Sequence, residues 1–404
     1  MTTNKSGGRI AVALAFVGMM FFAIGFGLGL NSYLIPVLKG SVMQGQNPYL
    51  LLAATFLPFI IFGFPASMTI KKIGYKRTMA LSFAMYAVAF AFFIPAAQQA
   101  SFWLFILASF VSGTANCFLQ ASVNPYVTIL GPHESAAKRI SIMGICNKVA
   151  VAVAPMFLAW VVAGNIDQIA IADLAKPFVI IICIFVLLGI VSLMAPLPEV
   201  KAAGEDESAE PTQESAYANN KTSIWQFPHL VLGALTLFLY VGVETVALTS
   251  LVDYANELGL ANPDAYGWIS SIGMVIGYII GIIMIPKYLS QERALYICSI
   301  LAVIGSFAVV LLPGTISIWG MGLCALGCSL MWPALWPLAM KDLGKFTKAG
   351  SGLLTMAIAG GAVVPTIFGY LNKAFTMQQS YWIMLPCFLL ILYYGIAGYK
   401  IRTK

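Results

Sequence analysis

The chain has 404 residues, of which 60% are hydrophobic and only 9% are charged. Soluble domains carry about 25% charged residues, so this composition excludes a protein whose whole surface faces water. The net charge of +7 would suit a nucleic-acid partner, and seven cysteines with two histidines would suit a metal site or disulfides. The cysteines all lie in apolar runs and the histidines lie far apart, so neither a disulfide framework nor a metal or other cofactor is predicted.

Long apolar runs follow one another along the chain and predict an all-α membrane protein. Each run is continuous rather than alternating, and about 20 apolar residues in a helix cross the hydrocarbon core of a bilayer. Twelve spans are predicted, in chain order at residues 10–37, 48–70, 78–97, 101–131, 140–163, 177–196, 228–252, 264–286, 294–312, 316–340, 350–372 and 380–399. The first apolar run has no cleavage pattern, so we interpret it as a retained helix.

The basic residues separate between the two sides of the membrane. With a cytoplasmic N-terminus, 18 of the 22 Lys and Arg residues fall in loops on that side, three fall on the other side, and Lys148 falls within a span. This asymmetry follows the positive-inside rule and predicts that both termini are cytoplasmic. The basic residues therefore orient helices in a membrane, and no nucleic-acid partner is predicted.

One polar segment divides the spans into two halves. Residues 197–226 are acidic and rich in Ala, Ser and Gln, which is typical of a disordered linker. We therefore predict a six-helix bundle over residues 1–196, a cytoplasmic linker over 197–226, and a second six-helix bundle over 227–404. Both halves contain a proline, then Leu-Gly, then a basic loop, at Pro125 and at Pro337, which suggests internal repeats.

Span four carries three carboxamides, Asn116, Gln120 and Asn124, at intervals of four residues. This spacing puts them on one face of a helix, and polar residues deep in a span need an explanation. Amides donate and accept hydrogen bonds together, which suits the hydroxyl groups of a sugar. The alternative is that they form hydrogen bonds between helices of the bundle.

Two charged residues lie within spans, Lys148 in span five and Glu244 in span seven. Neither can remain charged against lipid, so each faces a cavity or a partner. We expect Glu244 to bind substrate hydroxyls or a coupling ion, with Lys148 near enough to tune its ionisation. A static structural ion pair is the alternative.

Two tryptophans, Trp268 and Trp332, lie within spans beside small or proline residues. Their indole faces are candidates for stacking on a sugar ring, and packing in the helix bundle is the alternative.

Several segments resemble one transporter family. They are Leu30–Pro36, Asn124–Pro132, Tyr240–Glu244 and Leu343–Ser351, together with a loop that contains Lys71, Lys72, Gly74, Lys76 and Arg77. With these segments the chain resembles the fucose–galactose–glucose symporter family of the major facilitator superfamily. Within that family it is most similar to the bacterial glucose/galactose transporters, and the L-fucose permease is a further relative. The loop resembles the superfamily signature between spans two and three, except that Lys71 stands at the acidic position.

The resemblance implies the major facilitator fold and a set of site residues. It implies a location in the bacterial inner membrane, a sugar contact for Asn147 and an aromatic contact for Trp332. We expect Asn31 to line the same site. Ser32 and Gln120 stand where the fucose permease has acids, while Lys148 and Glu244 stand at positions that are uncharged in that relative. Coupling by the permease's proton route is therefore unexpected here.

The sequence thus predicts a secondary hexose transporter, in which H⁺ or Na⁺ is the coupling ion and the protein acts as a monomer. The substrate-binding residues are expected to be Asn31, Gln120, Asn124, Asn147, Glu244, Trp268 and Trp332, and the ion-coupling or gating residues Ser32, Lys148 and Glu244. A hexose uniporter, an L-fucose or N-acetylglucosamine transporter, a drug/proton antiporter and a non-transporting sugar sensor remain alternatives. A membrane enzyme is disfavoured, because the sequence has no catalytic histidine and no paired carboxylates.

Overall fold

The computed structural model describes residues 3–42, 49–162, 170–198 and 217–403, and the regular secondary structure within these ranges is all helical. The first five α-helices are α1 (Thr3–Ser41), α2 (Tyr49–Gln98), α3 (Phe102–Ile129), α4 (Ala136–Val162) and α5 (Ala175–Met194). The next ten are α6 (Pro228–Thr249), α7 (Leu251–Glu257), α8 (Gly267–Met284), α9 (Gln291–Leu311), α10 (Thr315–Cys328), α11 (Met331–Met340), α12 (Thr347–Ala357), α13 (Gly360–Ala374), α14 (Met377–Ser380) and α15 (Met384–Ile396).

Eleven segments of the described chain are long and apolar enough to cross a membrane. One of them, Leu50–Gln98, has 49 residues, which as one straight helix would be about 74 Å long, more than twice the hydrocarbon thickness. Within it, Gly74 has φ 82° and ψ 170°, a conformation outside the helical region that only glycine adopts readily. Gly74 therefore divides α2 into two crossings, and the eleven segments correspond to twelve spans, as predicted.

The tenth predicted span is two helices rather than one. α10 ends at Cys328 and α11 begins at Met331. Pro333, near the start of α11, has no N–H to donate to the Ser329 carbonyl, and its ring clashes with that carbonyl in a continuous helix. Proline is tolerated in the first turn of a helix, so a new helix begins just before it.

The chain forms two compact units, which we call the N-terminal unit (Met1–Val127 and Met143–Val200) and the C-terminal unit (Thr128–Ile142 and Lys201–Lys404). In the N-terminal unit, the second half of α2 packs against α5. Stacked rings form this contact, and Tyr86 and Phe185 lie with their centroids 4.8 Å apart and their planes at 10°. Phe90 contacts the rings of both Phe178 and Phe185, so one aromatic cluster joins the two helices.

In the C-terminal unit, α6 is the central helix. It packs against α8, α10, α11, α12, α13 and α15, and most of its side chains are buried. A residue on α6 is therefore surrounded by protein on several sides, which is the setting in which a charged side chain such as Glu244 can be held inside a membrane.

The loop segment 128–142, which comprises the end of α3, the loop after it and the first turns of α4, belongs to the C-terminal unit. His133 Nε2 lies 3.2 Å from the Pro337 carbonyl at the end of α11, and Gln291 Nε2 at the start of α9 lies 3.2 Å from His133 Nδ1. The division of the chain into bundles at residues 1–196 and 227–404, with the linker between them, stays a prediction, because most of the linker lies outside the described residues.

Arg139 holds the loop segment 128–142 together from inside. It is 6% exposed, and its guanidinium donates to the carbonyls of Pro132 (2.9 Å) and Thr128 (2.8 Å) and to Ser135 Oγ. A planar guanidinium can donate to three acceptors in fixed directions at once. A lysine ammonium is a compact point charge and cannot reproduce this arrangement.

We expect Arg139→Lys to lower the thermal stability of the protein, because each charged hydrogen bond that is lost costs about 1.5–3 kcal/mol. Thermal unfolding in detergent, followed with a thiol-reactive fluorophore, measures this, since Cys117, Cys298 and Cys324 are buried free thiols. Arg293→Lys is the control, because Arg293 is exposed. Equal melting temperatures for the two variants would show that the Arg139 contacts are not stabilising.

Candidate functional site

The three carboxamides of α3 lie on one buried stripe of the N-terminal unit. Asn116, Gln120 and Asn124 are 4%, 8% and 0% exposed. Gln120 Nε2 donates to Asn116 Oδ1 at 3.1 Å, and Asn124 Nδ2 donates to the Gln120 carbonyl at 3.0 Å. These bonds run along α3 and fix the rotamers of the stripe.

The hydrogen bonds within this stripe leave donor and acceptor sites for a further polar group. A carboxamide has two donor hydrogens and an oxygen with two acceptor sites. The Asn116–Gln120 bond uses the oxygen of one residue and the nitrogen of the other, so the Asn116 nitrogen and the Gln120 oxygen keep capacity for a further donor–acceptor group. A hydroxyl, which donates and accepts at once, matches such a pair.

Asn147 on α4 lies against α1. Its Nδ2 donates to the Phe21 carbonyl at 3.3 Å. The approach is possible because Gly25 has no side chain, since a Cβ at that position would overlap the backbone of Asn147. For Asn147 the observed bond is thus one between helices, and Lys148, half-buried, is the next residue on this tightly packed part of α4.

Glu244 occupies the central helix of the C-terminal unit and is half-buried. Tyr240 lies one helical turn before it, and Tyr278 lies on α8; both tyrosines are within electrostatic range of the Glu244 carboxylate. Tyr240 and Tyr278 are 0% and 4% exposed. The carboxylate therefore has two phenols beside it and an incompletely covered side.

Trp332 on α11 belongs to the same group of side chains. Its ring centroid lies 6.3 Å from that of Tyr240 and 5.6 Å from that of Trp336. Trp332 is half-buried, whereas Trp336 is fully buried. We call Tyr240, Glu244, Tyr278, Trp332 and Trp336 the aromatic–carboxylate cluster.

The structure thus assembles part of the predicted site within each unit. Gln120 and Asn124 share the amide stripe with Asn116, and Glu244 shares the cluster with Trp332. Trp268, near the start of α8, is 59% exposed, and its role stays a prediction. The side chains of Asn31 and Ser32 on α1 lie outside the described residues, and a pairing of Lys148 with Glu244 also stays a prediction.

Sequence reasoning missed three members of the cluster, Tyr240, Tyr278 and Trp336, as candidate site residues. Two of them had a usable signal, because Tyr240 precedes Glu244 by one turn and Trp336 follows Trp332 by one turn. Tyr278 had none, since only the packing of α8 on α6 brings it to the carboxylate.

The chain matches the Major Facilitator Superfamily model over residues 10–365, and it belongs to that superfamily. It is 32% identical over 409 residues to the glucose/galactose transporter of Brucella abortus biovar 1 (strain 9-941), covering 99% of this chain and 97% of that protein. It is 23% identical over 390 residues to the L-fucose-proton symporter of Escherichia coli (strain K12), covering 90% of this chain and 87% of that one.

Among solved structures, the crystal structure of the Major Facilitator Superfamily transporter FucP in the outward conformation shares the fold, with a TM-score of 0.82. The sequence identity is 22%, and the match covers 98% of this chain and 100% of that chain. The predicted all-α fold of twelve membrane helices is therefore confirmed. The protein is a multi-pass transporter of the bacterial inner membrane rather than an enzyme, as predicted.

We expect Gly25→Ala to impair both stability and transport, because its Cβ would meet the Asn147 backbone and separate α1 from α4. Gly27→Ala is the matched control. Its Cβ would lie 3.6 Å from the Tyr86 ring, an ordinary van der Waals contact. Melting temperature and uptake in proteoliposomes measure both effects, and equal behaviour of the two variants would contradict the close approach of α1 and α4.

Proposed function

We propose that this protein is a secondary active transporter of a glucose- or galactose-type hexose that works by alternating access, with a cation moving in the same direction. The observation that carries the proposal is the 32% identity, over 99% of the chain, to a protein named as a glucose/galactose transporter. The relative named as an L-fucose-proton symporter supports the same substrate class at greater distance.

The chemistry of the described residues supports a sugar rather than an apolar substrate. The amide stripe offers donors and acceptors together, and the Glu244 carboxylate accepts hydrogen bonds from hydroxyls. Trp332 offers an aromatic face, on which the C–H side of a pyranose can lie. Cavities that bind lipophilic drugs are mostly apolar, so three adjacent amides disfavour a drug/proton antiporter.

We assign the residues as follows. Sugar binding belongs to Gln120, Asn124, Asn147, Glu244 and Trp332, with Asn31 and Trp268 as further contacts. Coupling or gating belongs to Glu244, Lys148 and Ser32, because Glu244 is the half-buried carboxylate of the central helix of the C-terminal unit. Protonation of this carboxylate, or binding of Na⁺ to it, changes the charge that the sugar meets, which makes ion and sugar binding cooperative in both directions. The transporter acts as a monomer.

A hexose uniporter is the second candidate, and one observation favours it. Gln120, which resemblance aligns with an acid of the fucose permease, is bonded as a neutral amide to Asn116. An amide binds sugar but cannot carry a proton. If the protein is a uniporter, Glu244 binds sugar and does not couple transport to an ion.

Uptake of radiolabelled glucose and galactose into proteoliposomes tests the proposal, under an imposed Na⁺ gradient, a proton gradient, or neither. A potential of 100 mV, inside negative, can drive roughly 50-fold accumulation if one cation accompanies each sugar. Accumulation with one ion identifies the symport ion, and equilibration without accumulation identifies a uniporter. L-Fucose, N-acetylglucosamine and lipophilic cations serve as competitors, and absence of exchange with every sugar would contradict the proposal.

We expect Glu244→Gln to abolish accumulation while leaving downhill exchange of sugar measurable, because an amide can bind hydroxyls but cannot change charge. Uptake and counterflow in proteoliposomes separate the two activities. Glu292→Gln, in the first turn of α9, is the control for loss of a carboxylate elsewhere. If Glu244→Gln accumulates sugar with unchanged ion dependence, Glu244 is not the coupling residue.

A further inference from the structure

Two hydrogen-bond donors of the aromatic–carboxylate cluster are buried without a well-formed hydrogen bond. The Tyr240 hydroxyl and the Trp336 indole N–H belong to side chains that are 0% exposed, and neither makes a hydrogen bond of normal geometry with any residue that the structure describes. The Glu244 carboxylate lies within weak hydrogen-bonding reach of the Tyr240 hydroxyl, but the pair does not have the geometry of a normal hydrogen bond. Buried donors in proteins are nearly always bonded, so two unbonded donors in one cluster require an explanation.

The rings that carry both donors neighbour the same side chain. The Trp332 ring centroid lies 6.3 Å from that of Tyr240 and 5.6 Å from that of Trp336. Trp332 is half-buried, so it is the part of this group that is open to its surroundings. The χ2 torsions of aromatic side chains are broad, so the Trp332 indole has rotational freedom beside its two neighbours.

The donor and acceptor types of the cluster define what it can bind. An indole N–H can only donate, a phenol O–H donates or accepts, and an ionised carboxylate can only accept. A ligand that satisfies all three presents oxygen acceptors to Tyr240 and Trp336, a hydroxyl to Glu244, and an apolar face to Trp332. A pyranose has these groups around one ring, whereas a lipophilic cation has neither the acceptors nor the hydroxyl.

We propose that Tyr240 and Trp336 are sugar-binding residues of the C-terminal unit, whose O–H and N–H donate to hydroxyl oxygens of the hexose that Glu244 and Trp332 contact. The inference rests on the proposed hexose transport and adds two specificity-determining donors to it. Each donor faces one oxygen of the sugar, so each discriminates between hexoses at one hydroxyl position. Loss of a satisfied donor–acceptor pair in a binding site costs more than loss of packing, because a buried polar group is left unbonded.

A set of monodeoxy sugars tests this assignment in the full-length protein. Counterflow of radiolabelled D-glucose, with D-galactose in parallel, is measured in proteoliposomes against each monodeoxy analogue of the sugar, for the wild type, Tyr240→Phe and Trp336→Phe. Removing a hydroxyl that receives a hydrogen bond should weaken competition by about two- to tenfold in the wild type. In the variant that lacks the corresponding donor, that same deoxy sugar should compete as well as the complete sugar.

Tyr394→Phe is the matched control. Tyr394 is also a fully buried tyrosine of the C-terminal unit, but its hydroxyl donates to the His229 carbonyl at 3.1 Å. Its removal can lower stability, and it should leave the wild-type pattern of deoxy-sugar competition unchanged.

Each outcome decides the assignment. Loss of sensitivity at one hydroxyl position in Tyr240→Phe, and at a different position in Trp336→Phe, supports both donors. A uniform loss of affinity, or a wild-type pattern in both variants, overturns the proposal and leaves the two side chains with a packing role. If one variant fails to fold, the other decides; if both fail while Tyr394→Phe folds, the role is structural and the proposal is wrong. If the wild type exchanges no hexose, the proposed function itself fails, which is a distinguishable result.

Discussion

A polar group inside a bilayer must find its partner within the protein, because the hydrocarbon offers none. The helical backbone satisfies itself, and the hydroxyls in the spans largely do the same. Thr55, Ser82 and Thr236, for example, each donate to the carbonyl four residues earlier in their own helix. A hydroxyl with one hydrogen needs no more than that. Such residues therefore cost the membrane protein little and carry no indication of a site.

Carboxamides and carboxylates differ from hydroxyls because one helix cannot satisfy them. The stripe of Asn116, Gln120 and Asn124 uses bonds along α3 and still has donor and acceptor capacity remaining. Glu244 has the phenols of Tyr240 and Tyr278 beside it. This difference in hydrogen-bonding capacity separates the residues of the candidate site from the many other polar residues of the spans. The two units also differ in chemistry, with neutral amides in one and a carboxylate among aromatic rings in the other.

The loop segment 128–142 packs with a different unit from the one that its position in the chain suggests. Its covalent neighbours on both sides belong to the N-terminal unit, yet it packs with the C-terminal unit. Arg139 forms hydrogen bonds within it, and His133 joins it to the start of α9 and the end of α11. Pro337 contributes to that attachment, because its carbonyl lies in the last turn of α11, where carbonyls lack partners within the helix.

The sequence by itself determined the class of structure and the number of spans. It also identified the polar residues inside spans that need a structural or functional explanation. Composition and the length of the apolar runs suffice for this, because the thickness of the hydrocarbon core sets the length of a spanning helix. The bend between spans two and three lies at a glycine, Gly74, which the sequence also shows. Residues one helical turn apart, such as Gln120 and Asn116, could also be paired from spacing alone. Tertiary structure decided the rest: that segment 128–142 packs with the C-terminal unit, and that Tyr278 faces Glu244. These depend on contacts between residues far apart in the chain, which helical periodicity does not encode.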